Sequence, residues 1–166
     1  MHRLVLVALA TLTLSTSAAA QQQQGRPKAP AKPAKSTAVL VREVQRHVRD
    51  YITAYNRADA TGLSYAFSRR ADVTSVIDGE ITRGYDAIRA LNDEMAGEEV
   101  GSFKFAVGTL EVSMLGTSYA LVVAPTTVTV KEPDGLVQLK GSMTMVLQRT
   151  PDGWRLINEH FSTKEQ

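Results

Sequence analysis

From Phe103 to Thr163, apolar and polar residues alternate almost without a break. Two phrases of one kind, Glu132-Pro133-Asp134-Gly135 and Thr150-Pro151-Asp152-Gly153, divide the stretch into long segments. A period of two places successive side chains on opposite faces of a strand, so the pattern specifies long antiparallel strands sharing one apolar face. Proline and glycine at these spacings mark reversals of the chain. Strands are expected over Tyr119–Val130, Leu136–Arg149 and Trp154–Thr163. Upstream, Phe103, Phe105 and Val107 are apolar at odd positions, whereas Leu110, Val112 and Met114 are apolar at even ones. One extra residue at Gly108-Thr109 produces that change of phase, which predicts a β-bulge and a bent sheet. Pro125 has no backbone donor and marks a bulge or an unpaired position.

An apolar sheet face must be covered, and the preceding residues supply the cover. Val41, Val44, Val48, Ile52 and Tyr55 recur at three- or four-residue spacing, which predicts an amphipathic helix over residues 37–57. Asp59-Ala60-Thr61-Gly62 reads as the start of a second, short helix carrying Leu63, Tyr65, Ala66 and Phe67. Val73 to Ile77 reads as a strand, Asp78-Gly79 as a two-residue hairpin loop, and Glu80 to Arg83 as the return. Gly84 precedes a third helix with Ile88, Leu91 and Met95 on one face. Helices, a small hairpin and then four long strands make an α+β arrangement.

Residues 1–36 stand apart from this pattern. Met1-His2-Arg3, the apolar run Leu4 to Leu14 and the small residues ending Ala18-Ala19-Ala20 form the three parts of a signal peptide, expected over residues 1–20 and cleaved after Ala20. That places the mature protein in the periplasm or outside the cell. A run this short, at about 1.5 Å per residue, falls well below the roughly 30 Å of a bilayer core, so no transmembrane segment is expected in the mature chain. Residues 21–36, QQQQGRPKAPAKPAKS, hold no large apolar side chain and read as a disordered linker. The domain proper is expected over residues 37–166.

Charge follows the same division. Five of the 19 Lys and Arg residues precede residue 37 and all 17 acidic residues follow it, so the net charge of +2 becomes about −3 for the domain. No basic face with interleaved aromatics is present, and no nucleic-acid partner is expected. With no cysteine, disulfides, thiolate catalysis and thiolate metal sites are excluded. The mature chain has only His47 and His160, without metal-ligand spacing, and no phosphate-binding glycine loop, so neither a metal nor a cofactor is expected. His47 falls on the polar side of the first helix and is expected to be solvated.

Certain phrases, in order, carry a resemblance. They are Tyr55 with Asp59, Phe67 followed by Ala71-Asp72-Val73, Gly84 before Ala87-Ile88, Leu115-Gly116 before Ala120-Leu121-Val122, and Asp152-Gly153-Trp154 closing on His160-Phe161-Ser162. Over residues 37–166 the chain resembles the nuclear transport factor 2-like superfamily, in its polyketide-cyclase-like and calcium-calmodulin kinase association-domain-like branches. The resemblance implies N-terminal helices packed in the concave face of a curved, mostly antiparallel sheet, a cone-shaped α+β barrel with a cavity. It also implies frequent homodimerisation through the outer face of the sheet, where Trp154 and Leu156 are expected. Ketosteroid isomerases of this superfamily carry an aspartate base on the first strand. Matching Phe67 and Ala71-Asp72-Val73 puts Ser75 at that position, so their mechanism is not carried over.

The register of the last hairpin decides which residues face the cavity. A three-residue loop Pro151-Asp152-Gly153 sets Thr150 opposite Trp154 and Met145 opposite Glu159, whereas a two-residue loop shifts every pair by one. Proline first and glycine third suit a type I turn closed by a glycine bulge, so the three-residue loop is expected. It gathers Met143, Met145, Leu147, Ile157 and Phe161 on the concave face with Tyr55 and Phe67, and places Glu159 among them. Glu159 is then the candidate anchor or general base with Tyr55 as its hydrogen-bonding partner, and His160, the alternative, falls outside. Two functions remain open: an exported, dimeric module binding a small apolar molecule or a partner, or a cofactor-independent isomerase, cyclase or dehydratase acting on a small apolar substrate.

Overall fold

The computed structural model describes residues 35–96 and 103–164. Residues 1–34, and with them the expected signal peptide and nearly all of the linker, lie outside the described residues. Lys35 ion-pairs with Glu43, and Ser36 offers its carbonyl to the Val39 and Leu40 amides at the start of the first helix.

Three helices and seven strands follow in the order α1 (Thr37–Asn56), α2 (Ala60–Ala66), β1 (Thr74–Ile77), β2 (Glu80–Arg83), α3 (Tyr85–Met95), β3 (Phe103–Val107), β4 (Glu111–Leu115), β5 (Tyr119–Glu132), β6 (Gly135–Thr150) and β7 (Gly153–Lys164). The strands form one sheet in the order β2-β1-β7-β6-β5-β3, with β4 continuing β3 along β5. Only β1 and β7 run parallel; every other pairing of these strands is antiparallel. The helices pack on the concave face, as an α+β cone requires.

The local expectations hold at several points. Asp78 and Gly79, both at positive φ, form the two-residue loop between Ile77 and Glu80. Asp59 caps α2 by accepting from the Gly62 amide at 2.9 Å. Between the Val107–Thr126 and Glu111–Val123 pairs, three residues of the β3–β4 stretch face two of β5. This is the bulge that the phase change predicts. There the Gly108 amide donates to the Pro125 carbonyl at 2.9 Å, and a side chain at Gly108 would strike the Pro125 ring.

The last hairpin corrects one expectation. Its loop has two residues, with Thr150 opposite Gly153, not three. The extra residue enters lower, where Leu147 pairs with Leu156 and Val146 with Asn158, leaving Ile157 unopposed. Below this bulge Met145 does face Glu159. Above it the faces are exchanged, so Trp154 (4% exposed) and Leu156 (0%) lie in the core and not on the outer face. The Phe67–Leu156 bridge and the Ser68 amide bond to the Leu156 carbonyl, 2.8 Å, tie the end of α2 to β7 just above the bulge.

The buried stripe of α1 is Leu40, Val44, Val48, Tyr51 and Ile52. It is rotated slightly from the expected one, so Tyr51 reaches the centre of the cone and Tyr55 stands half-buried nearer its open end. His47 is also half-buried, against the expectation of a solvated side chain. Its Nε2 meets the Ala66 carbonyl at 3.2 Å, and burial lowers its pKa.

Candidate functional site

The concave face holds a cavity of about 470 Å³. One wall is apolar: Leu91 and Met95 of α3, Phe103 of β3, Val128 and Val130 of β5, Leu139 of β6 and Phe161 of β7, with Tyr55 from α1. The β1–β2 hairpin closes the opposite side with Ser75, Ile77 and Thr82, and the exposed Asp78, Glu80 and Lys131 flank the opening. The Asp78 carboxylate is engaged by Thr163, whose amide donates to it at 2.6 Å. Of the described side chains that line the cavity, Ser75, 2% exposed, is the one buried polar group.

Behind that wall lies a buried carboxylate. Glu159 is 6% exposed. Its Oε1 accepts from Ser75 Oγ at 2.7 Å and its Oε2 from Tyr51 Oη at 2.8 Å. Burial pushes the Glu159 carboxyl above the usual carboxylate range, while the Ser75 and Tyr51 hydroxyls pull against that rise. Burial, reinforced by the facing Glu159 charge, pushes the Tyr51 phenol well up, so it remains a donor. The ion pairs among the described residues are Lys35–Glu43, Arg70–Asp72 and Arg89–Asp93, and none includes Glu159.

A void of about 20 Å³, of single-water size, adjoins Glu159 between Tyr51, Met143 and Met145. Tyr55, Ile77 and Phe161 line both this void and the larger cavity, so the two adjoin. Aromatic rings crowd this junction: Tyr55 packs on Phe103 and Phe105 with ring centroids 5.1 and 5.3 Å away, and Phe105 on Phe161 at 4.9 Å.

The structure thus brings together Glu159, Met143, Met145, Tyr55 and Phe161 of the expected site. Phe67 instead packs edge-on to Tyr51 in the core, and Ile157 is the unopposed bulge residue. The tyrosine hydroxyl that reaches Glu159 is that of Tyr51, one helical turn before the expected Tyr55. His160 is exposed on the outer face, paired with Thr144 and Val76. Sequence reasoning missed Tyr51 and the bond from Ser75. Tyr51 carries a periodic signal, because it completes the Leu40, Val44, Val48 stripe; the Ser75 bond depends on a parallel pairing between distant segments.

A wider depression of about 660 Å³ lies outside the cone between α2 and the β6–β7 turn, where the Arg155 guanidinium stands 4.2 Å above the Tyr65 ring. Among the described residues no group of three or more His, Asp or Glu is placed to hold a metal, and no helix is long and apolar enough to cross a membrane.

Comparison with solved structures finds the same fold repeatedly. A candidate dehydratase of the NTF2-like family from Streptomyces avermitilis matches with a TM-score of 0.69 at 24% identity, over 79% of this chain and 100% of that one. An NTF2-like protein with a cystatin-like fold from Novosphingobium aromaticivorans matches with a TM-score of 0.67 at 19% identity, over 77% and 84%. A candidate scytalone dehydratase from the same organism matches with a TM-score of 0.68 at 14% identity, over 77% and 86%. No curated protein matches the chain by sequence. A family model, the SnoaL-like domain, matches residues 44–164, which span every element from α1 to β7, and the chain belongs to that family of the nuclear transport factor 2-like fold.

Proposed function

We propose that this protein is an exported, dimeric module that binds one small, largely apolar molecule in the cone. The observation that carries the reading is the pairing of a cavity of about 470 Å³ with a wall whose one buried polar side chain, among the described residues, is Ser75. Pockets of this size and character hold small molecules, and a lone convergent polar group orients them. The carboxylate with a raised pKa stands behind that wall, bonded to Ser75 and Tyr51, and does not line the cavity itself. Export rests on the Met1–Ala20 pattern. Dimerisation rests on the outer face of the sheet, where Leu121, Val123 and Val146 lie together, uncovered by any helix among the described residues.

Native mass spectrometry of the protein from its own host tests the reading. A co-purifying small molecule, lost when Phe161→Trp fills the cavity, is expected. An unliganded mass, together with no thermal stabilisation by any of a panel of neutral bicyclic aromatics, would overturn it.

A second reading is a cofactor-independent isomerase, cyclase or dehydratase. The raised pKa of Glu159, with no ion pair at its carboxylate among the described residues, favours it, and two of the similar structures are candidate dehydratases. Its signature is protein-dependent deuterium incorporation next to the carbonyl of a bicyclic ketone in heavy water, abolished in Glu159→Gln. Exchange equal to the buffer rate would exclude proton abstraction from such ketones.

A further inference from the structure

A serine hydroxyl has one proton to donate and two lone pairs that accept. With Glu159 ionised, Ser75 directs its proton at Oε1, 2.7 Å away, while Tyr51 supplies the other carboxyl oxygen at 2.8 Å. Ser75 also lines the cavity, and with its proton committed it has only lone pairs to offer a ligand there. A ketone or ether oxygen placed there would set acceptor against acceptor, with the Glu159 charge behind. A hydroxyl would instead complete a chain from ligand to Ser75 to Glu159, each bond polarising the next.

Of the remaining polar side chains of the wall, Tyr55, Thr82 and Thr163 are half-buried and less deeply set than Ser75. Asp78 is engaged by Thr163, and Asp78, Glu80 and Lys131 are exposed at the opening. An anionic ligand would meet the Glu159 charge, and none of the ion pairs among the described residues sets a cation beside it to compensate.

We infer that Glu159, acting through Ser75, makes the cavity selective for neutral molecules that present a hydrogen-bond donor, phenols or alcohols on an apolar skeleton, over ketones and ethers of the same shape. This rests on the small-molecule reading of the cavity and specifies its ligand class. Ser75 is the group that touches ligand; Glu159 is a positioning residue that fixes the direction of the Ser75 proton. In Glu159→Gln the side-chain amide can donate to Ser75, which frees the serine proton to point into the cavity and serve an acceptor.

The probes are β-naphthol, its methyl ether and methyl β-naphthyl ketone, measured by calorimetry on the full chain. Wild-type protein is expected to bind naphthol about tenfold more tightly than the ether or the ketone, although the ether is the more apolar. Ser75→Ala should bring the three affinities within about twofold of one another by weakening naphthol alone. Glu159→Gln should shift the preference towards the ketone. Equal affinities in the wild-type protein, or a preference for the ketone, overturn the inference and leave the cavity reading intact. An unchanged naphthol preference in Ser75→Ala overturns the role of Ser75. Failure of all three probes to bind overturns the cavity reading and this inference with it. Should Glu159→Gln fail to fold, Ser75→Ala decides the question alone.

Discussion

Ser75 and Glu159 stand directly opposite each other across the parallel β1–β7 pair, and the serine hydroxyl donates to the glutamate carboxylate over 2.7 Å. The contact joins the rim hairpin to the last strand at the centre of the concave face. It joins a carboxylate that does not line the cavity to a side chain that does. Its consequences are measurable without knowing the ligand.

The first consequence is the pH dependence of stability. The folded-state pKa of Glu159 is raised, so between the unfolded value, about 4.3, and that raised value the folded protein holds more proton than the unfolded one. Stability from this group is therefore present at low pH and lost as pH rises through the window. His47 has a lowered folded pKa and acts in the opposite sense, its contribution falling as pH drops below about 6.5. Glu159→Gln removes the first effect and keeps the second. The melting temperature of Glu159→Gln relative to wild type should rise with pH above about 4.3, in thermal unfolding followed by circular dichroism. A flat difference would show that Glu159 does not titrate in the folded state as its burial requires.

The Tyr51 hydroxyl should matter because its acceptor is a buried carboxyl group. Tyr51→Phe removes one of two donors to Glu159 and should cost about 1–3 kcal/mol at neutral pH in urea unfolding. In a Glu159→Leu background the same change should cost less than about 0.5 kcal/mol, since the hydroxyl has then lost its acceptor. Equal costs in the two backgrounds would mean that Tyr51 stabilises by packing on Phe67 and not through Glu159.

How much of this was legible in the sequence depended on whether the wrong answer looked different from the right one. The bulge near Gly108 was legible because the phase of the apolar residues changes across it, from odd positions such as Phe105 to even positions such as Val112. The bulge at Ile157 was not, because Trp154, Leu156, Ile157 and Phe161 are all apolar and satisfy the pattern in either phase. Only the positions below the bulge, Glu159 opposite Met145, came out as the turn argument required, and they did so by a different turn. The helix stripe was read from Val41 when the burial runs through Leu40, a rotation small enough to keep Val44, Val48 and Ile52 but large enough to exchange Tyr51 for Tyr55. The Ser75–Glu159 bond was out of reach, since no local pattern fixes the register of a parallel pair formed by segments 84 residues apart.

Gly141 offers a test of the sheet's bend. A side chain there would lie 2.1 Å from the Ser162 carbonyl oxygen and 3.0 Å from Thr126 Oγ1. The first obstacle is backbone and cannot rotate aside, so β6 and β7 would have to part beside Leu139 and Thr163, which line the cavity. Gly141→Ala should cost about 1–3 kcal/mol. Ser142→Ala, one residue along on the exposed face, should change stability by less than about 0.5 kcal/mol. Equal small effects in thermal melts would show that the two strands do not approach as closely as this geometry has them.

The corrected register of β7 moves the expected dimer contact. Trp154 and Leu156 are buried within one chain and cannot serve an interface. The exposed face of the sheet instead presents Val123, 39% exposed, beside Leu121 and opposite Thr144, with Val146 next to it. A two-fold interface brings such a patch against its own copy, so one charge near the axis is placed against an identical charge. Light scattering at micromolar concentration should give a dimer mass for the wild type and a monomer mass for Val123→Lys, with the far-ultraviolet spectrum unchanged. Trp154→Phe, which alters only the core, should remain dimeric. A monomeric wild-type protein would remove the dimer from the proposed function, and a dimeric Val123→Lys would move the contact to another face.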